Sequence, residues 1–266
     1  QIPCLNEALT LPQTLAELPR EVRGFDEVEW LIIDDGSTDD TAAVARRCGV
    51  DHVVSHPHNL GLARGFMSGI ARCLELGADV IVNTDADNQY KGADIPRLCA
   101  PIVDGEAEIV VGARPIAQTE HFSWIKKRLQ GLGSWVVRLA SGTDVADAPS
   151  GFRAMSRNAA IRLNVFSNYT YTLETIIQAG LSRLRIVSVP IGTNPDTRPS
   201  RLLRSTTNYV RRSMVTIVRV FAIYKPFAFF ASIGTAALGL GLLLGLRFLY
   251  FVAHGEGDGH VQSLIL

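Results

Sequence analysis

Val80-Ile81-Val82-Asn83-Thr84-Asp85-Ala86-Asp87 is an apolar run that ends in two carboxylates. A short apolar run bounded by turn residues predicts a buried strand. Acids at the carboxyl end of such a strand stand on the rim where open α/β sheets bind ligands. Similar runs recur at 30–34, 52–55, 109–114 and 184–189. Helical patterns at 41–47, 60–76 and 95–103 alternate with them, and 9–18 reads as a first helix after Asn6 and Glu7. This alternation predicts a mainly parallel sheet covered on both faces, an α/β layered domain. Beyond Pro115 the rhythm changes to a basic amphipathic helix over 122–140 and further helices over 156–163 and 172–179, read as shaping the second-substrate side.

Two carboxylates at a strand end need a cation. A hard ion such as Mg²⁺ or Mn²⁺, held by Asp85 and Asp87 and completed by diphosphate oxygens, suits them, and Gln89 adds a carbonyl oxygen. A bare Asp-x-Asp arises by chance roughly once in a chain of this length, so position, not spacing, carries the reading. An EF-hand is excluded because Gly92 comes too late for that loop. The same arrangement repeats at Leu31-Ile32-Ile33-Asp34-Asp35-Gly36-Ser37-Thr38-Asp39-Asp40, where Asp35 is suited to accept N–H groups of a base and Asp39 and Asp40 to cap the next helix. Pro3-Cys4-Leu5-Asn6-Glu7 and Asn59-Leu60-Gly61-Leu62-Ala63 mark two more strand ends, so four marked ends share one rim.

The 26 Lys and Arg balance the 26 Asp and Glu, which argues against a general polyanion binder and hence against nucleic acid. Cys4, Cys48, Cys73 and Cys99 form no C-x-x-C pair and read as reduced thiols. His56 and His58 flank Pro57 without a further ligand nearby, so no zinc site is expected. The chain opens where a strand is ending and stops inside an apolar run, and reads as a fragment.

Charge is nevertheless unevenly placed. Between 197 and 225 stand Arg198, Arg201, Arg204, Arg211, Arg212, Arg219 and Lys225, with no acid. The 21 residues of 226–246 that follow carry no charge, and the apolar character runs on to Ala253. That length suffices for the roughly 30 Å of a bilayer's hydrocarbon. The cations predict a cytoplasmic catalytic domain by the positive-inside rule. Residues 201–224 read as an interfacial helix, 261–266 as the start of a second span in a multi-pass protein, and Gly234, Gly239, Gly241 and Gly245 as spacing suited to helix–helix contact and homo-oligomers.

Ile-Pro-Cys-Leu-Asn-Glu, Asp-Asp-Gly-Ser-Thr-Asp, Asn-Leu-Gly-Leu-Ala and Asp-Ala-Asp-Asn-Gln, in this order and spacing, resemble the family 2 glycosyltransferases of the GT-A fold, and among them the dolichyl- and undecaprenyl-phosphate sugar transferases. The resemblance covers about 1–212. It implies a nucleotide-diphospho-sugar transferase domain over 1–196, a basic segment over 197–225 and a transmembrane helix over 226–253. It implies a UDP- or GDP-sugar donor, a polyprenyl phosphate acceptor, inversion at the anomeric carbon and a cell-membrane location. Pro3, Asn6, Glu7 and Asp35 would hold the nucleoside, Asp85 the nucleotide, and Asp87 with Gln89 the metal on the diphosphate. Ser150-Gly151-Phe152-Arg153 matches the segment near the acceptor, making Arg153 a clamp for an acceptor phosphate, while Arg198 and Arg201 would close over phosphates. Were the acceptor a saccharide hydroxyl, Glu174 is the acid placed to take its proton. The Gln-x-x-Arg-Trp signature of processive polysaccharide synthases is absent, and so is the Gly-rich basic loop of nucleotidyltransferases. A catalytically silent membrane-anchored scaffold is the remaining alternative.

Overall fold

The structure, a computed structural model, describes residues 1–115, 141–165, 171–195 and 222–254, with isolated positions at 135, 137–139, 215, 218 and 219. The chain divides into two units, Gln1–Val215 and Thr216–Leu266.

In the first unit, β1 (Ile2–Cys4), β2 (Leu31–Asp34) and β3 (His52–Ser55) form a parallel ladder. All four residues of β2 are buried, as expected of a central parallel strand covered on both faces. α1 (Leu11–Glu17) and α2 (Thr41–Arg47) cover one face. Leu11, Leu15 and Ala45 pack there on Ile2, Cys4 and Ile32. α3 (Leu62–Glu75) packs on β1 and β2 through Ala63, Phe66, Ile70 and Cys73.

The second ladder runs β4 (Val80–Asn83), β6 (Arg153–Ser156), β5 (Ile109–Ala113), β7 (Ile186–Pro190) in space. β6 is antiparallel to both of its neighbours, whereas β5 and β7 are parallel. α4 (Ile95–Val103) buries Ile95, Leu98 and Cys99 against Val110, Phe152 and Ala154. α5 (Arg157–Arg162) follows β6 at once, its first turn capped by Ser156 Oγ accepting from Ala159 N. α6 (Thr172–Leu181) is buried along Thr175, Ile176, Ile177 and Ala179.

The two ladders meet at Gln1, whose amino group donates to Val82 O (2.6 Å) while its carbonyl accepts from Thr84 N (3.2 Å). This is a parallel bridge between the start of β1 and β4, and it brings their carboxyl ends side by side. The strand β6 was not foreseen, and its insertion makes this half of the sheet mixed. Among the described residues the other expected strands and helices are present, displaced by at most two residues at an end.

In the second unit, α7 (Pro226–Ala253) has 28 residues and no side chain buried within the chain. At 1.5 Å per residue it is about 42 Å long. It is the one described helix long and apolar enough to cross a membrane. Pro226 stands in its first turn, where the missing N–H costs no hydrogen bond. The expected segments 122–134, 201–214 and 261–266 lie outside the described residues.

Candidate active site

Parallel strands end on one rim, and here the rim is acidic. The buried Cys4 thiol reports the convergence: burial pushes it well above its usual range, and Glu7, Asp34, Asp85 and Asp39 each push it further. Acids from the ends of β1, β2 and β4 therefore surround one point.

The residues 85–89 are held from three sides. Ala86 is buried in the core on α1, and its carbonyl accepts from Thr14 Oγ1 (2.9 Å), leaving the flanking Asp85 and Asp87 on the rim. Asn88 adopts a left-handed conformation (φ 57°) and donates through Nδ2 to Glu17 Oε1 (2.8 Å). Glu17 Oε2 accepts from Asn194 Nδ2 (2.8 Å), and Asn194 N donates to Gln89 O (2.9 Å), so the segment after β7 is fastened to the same loop. Asp87 Oδ1 accepts from Gln89 N at 3.1 Å.

Asp85 is electrostatically out of balance. Burial first, and then the Asp87 charge, raise its carboxyl to about 7, with Glu7 adding to the effect and Arg114 and Arg153 partly offsetting it. Two carboxylates this close favour a cation between them. No cluster of three or more His, Cys, Asp or Glu side chains suited to a metal occurs among the described residues. Two carboxylates and an amide carbonyl, those of Asp85, Asp87 and Gln89, could hold a hard divalent ion and leave it open to diphosphate oxygens.

The Ser150-Gly151-Phe152-Arg153 segment lies against Asp85. A Cβ on Gly151 would stand 2.9 Å from Tyr171 Oη and 3.2 Å from Asp85 Oδ2, so only glycine permits this approach. Gly151 N donates to Tyr90 Oη (3.1 Å), Gly151 O accepts from Asn83 Nδ2 (2.9 Å), and Tyr171 stacks on Phe66 with ring centroids 3.9 Å apart. Arg153 departs from the role expected of it. It is 1% exposed, and its guanidinium donates to Ser150 O (2.8 Å), Ala148 O (2.7 Å) and Thr175 Oγ1 (2.5 Å). With all three nitrogens engaged in the interior it braces the segment and presents no face to an acceptor phosphate. Glu174 is buried in the first turn of α6, within 3.5 Å of Gln178 Nε2.

The Arg that does stand on the rim is Arg114, one residue beyond β5. It pairs in a bidentate fashion with buried Asp147 (2.7 and 3.1 Å) and contributes to the field at Asp85. No local sequence pattern marks Arg114 or its partner, which is 33 residues away.

At the other end of the rim, Asp35 Oδ1 accepts from Leu60 N (2.9 Å) and Oδ2 from Gly61 N (2.9 Å), joining the ends of β2 and β3. Gly36 lies against the same loop: at φ 71° and with His58 C only 2.4 Å from an added Cβ, the position admits no side chain. Asn6, at φ 55°, accepts through Oδ1 from Thr38 N (2.8 Å), and Glu7 accepts through Oε2 from Thr10 Oγ1 (2.6 Å). Pro3 lies within β1, paired with Ile33 of β2. Glu7, Asp85, Asp87 and Gln89 are thus brought to one place, with Asp35 on the neighbouring strand end. Arg198 and Arg201 lie outside the described residues, three and six positions beyond Pro195. A cavity of about 380 Å³ at the opposite ends of the strands, beside Gln1, Trp30, Val80 and Cys99, contains none of the rim acids.

The sequence profile of Glycosyl transferase family 2 matches residues 1–169. The UDP-N-acetylglucosamine–dolichyl-phosphate N-acetylglucosaminyltransferase of Methanococcus voltae is 30% identical over 217 residues, covering 72% of this chain and 83% of that one. The undecaprenyl-phosphate mannosyltransferase of Micrococcus luteus is 32% identical over 200 residues, covering 71% and 80%. Among solved structures, glucosyl-3-phosphoglycerate synthase from Mycobacterium tuberculosis superimposes with a TM-score of 0.64 at 22% identity, covering 84% of this chain and 78% of that one. That enzyme has been crystallised with Mn²⁺ and UDP-glucose and with Mg²⁺ and UDP.

Proposed function

The chain belongs to glycosyl transferase family 2, and on that premise we propose that it moves a hexose from a UDP- or GDP-sugar to a polyprenyl phosphate at the cytoplasmic face of a membrane. The observation that carries the reading is the placement of Asp85 and Asp87 just beyond the end of β4, on a rim of converging acids, where burial and the Asp87 charge raise the Asp85 carboxyl to about 7. A site that repels its own negative charge is prepared for a metal-bound diphosphate. Asp85, Asp87 and Gln89 are the residues that would hold Mg²⁺ or Mn²⁺. When bound, such an ion neutralises charge on the leaving diphosphate.

The chain's own residues account for the remaining work. Pro3, Asn6, Glu7 and Asp35 hold the nucleoside, on loops that the rim fixes through Thr38, Thr10 and Gly61. Arg198 and Arg201, four and seven residues beyond Asn194 in the sequence, are the cations proposed to close over the diphosphate. A phosphate oxygen of the acceptor attacks the anomeric carbon as its bond to the diphosphate breaks, inverting the centre. That nucleophile is already anionic and needs no general base, so Glu174 has no proton to take.

The acceptor is supported by the activities of the Methanococcus and Micrococcus relatives and by α7, an apolar helix long enough to anchor the chain in a bilayer. The test is to incubate membranes containing the protein with labelled nucleotide sugars and undecaprenyl phosphate. Acid-labile, lipid-extractable label supports the reading; label confined to polymer overturns it in favour of a saccharide hydroxyl.

A further inference from the structure

Asp35 is a carboxylate with four lone-pair positions. Oδ1 accepts from His56 Nδ1 (2.7 Å) and Leu60 N (2.9 Å), and Oδ2 accepts from Gly61 N (2.9 Å). Because a carboxylate only accepts, His56 carries its hydrogen on Nδ1, and its Nε2, 3.0 Å from Ser68 Oγ, accepts from the hydroxyl in the neutral ring. The His56 and Asp35 side chains are 9% and 7% exposed, so the contact is an interior one. Both positions on Oδ1 are therefore filled by the protein, and a single position remains, on Oδ2.

We propose that this count selects the donor's base: Asp35 has room for one N–H, which suits the single imide N–H of uracil and not the adjacent pair of N–H donors on guanine. Guanine engages a carboxylate with one hydrogen bond to each oxygen, and Oδ1 has no position left to accept the second. The inference rests on the nucleotide-sugar reading of the site and sharpens it to uridine diphosphate sugars. His56 acts through Asp35 and is a positioning residue that determines specificity. It occupies the Oδ1 position guanine needs, and the contact of its Nε2 with Ser68 Oγ orients the ring.

The experiment is calorimetric titration of the full-length protein in detergent, with Mn²⁺ present, against UDP and against GDP, for the wild type and for His56→Leu. The wild type is expected to bind UDP at least about tenfold more tightly, since a donor that loses water without gaining a partner is costly. In His56→Leu a position on Oδ1 is released, so GDP gains and the ratio falls toward one. If His56 merely supported the loop, both nucleotides would weaken together and the ratio would hold, which overturns its role. GDP binding as tightly as UDP in the wild type overturns the base assignment and leaves the diphosphate site standing, and this comparison needs no variant to fold. Binding of neither nucleotide overturns the donor-site reading itself, and the inference with it.

Discussion

Burial and the Asp87 charge let Asp85 keep its proton to a higher pH than an ordinary aspartate does. Its folded value of about 7 lies above the ordinary 3.8, so between those pH values the folded chain binds more protons than the unfolded one. Stability contributed by this group is therefore full below about 4, falls as pH rises to about 7, and stays reduced above. Asp85→Asn removes the penalty: its melting temperature should exceed that of the metal-free wild type at pH 7.5, and the gap should close by pH 4. Parallel melting curves across that range would refute the imbalance. Burial disfavours the Arg153 charge as well, but its three nitrogens all have hydrogen-bond partners. Arg153→Met strands buried carbonyls of Ala148 and Ser150 and should cost about 3 kcal/mol in chemical denaturation. A phosphate clamp would instead lose activity at unchanged stability. Asp85 and Asp87 were legible in sequence because a strand pattern runs into them. His56, Arg114 and Asp147 were not, because their partners lie 21 and 33 residues away and long-range pairing leaves no local trace.

At the scale of elements, the acidic loop is placed by α1. Thr14 and Glu17, one turn apart, hold Ala86 and Asn88, and Glu17 also fastens Asn194 of the segment after β7. Glu17→Ala should free the loop and lower kcat/KM by about tenfold, an effect typical of lost positioning. Because Glu17 is itself exposed, the melting temperature should shift by only a degree or two. Strands and helices with a clear period were readable from sequence: 41–47, 52–55 and 95–103 appear with the expected bounds. β6 was not, since Arg153-Ala154-Met155-Ser156 offers four residues with no alternation and runs straight into α5. Its antiparallel place between β4 and β5 is a matter of tertiary pairing that periodicity does not encode.

At the scale of the molecule, the α/β unit is followed by an apolar helix long enough to cross a bilayer. The helix was legible in full, because an uncharged run of that length has few alternatives. The full chain should stay with membranes through an alkaline wash. Leu240→Arg combined with Leu243→Arg should release much of it, each cation costing about 3 kcal/mol at mid-bilayer. Complete retention of the double variant would argue that other parts of the chain hold it to the membrane. The central claim is that Asp87, beside Asp85, holds the ion on which sugar transfer depends. The direct measurement is the initial rate of transfer from nucleotide sugar to undecaprenyl phosphate across a Mn²⁺ titration, for the wild type and for Asp87→Ala of matched thermal stability. A loss of at least about 100-fold at every Mn²⁺ concentration is the expected result, in line with the loss of a preorganised electrostatic group. Equal rates would contradict it.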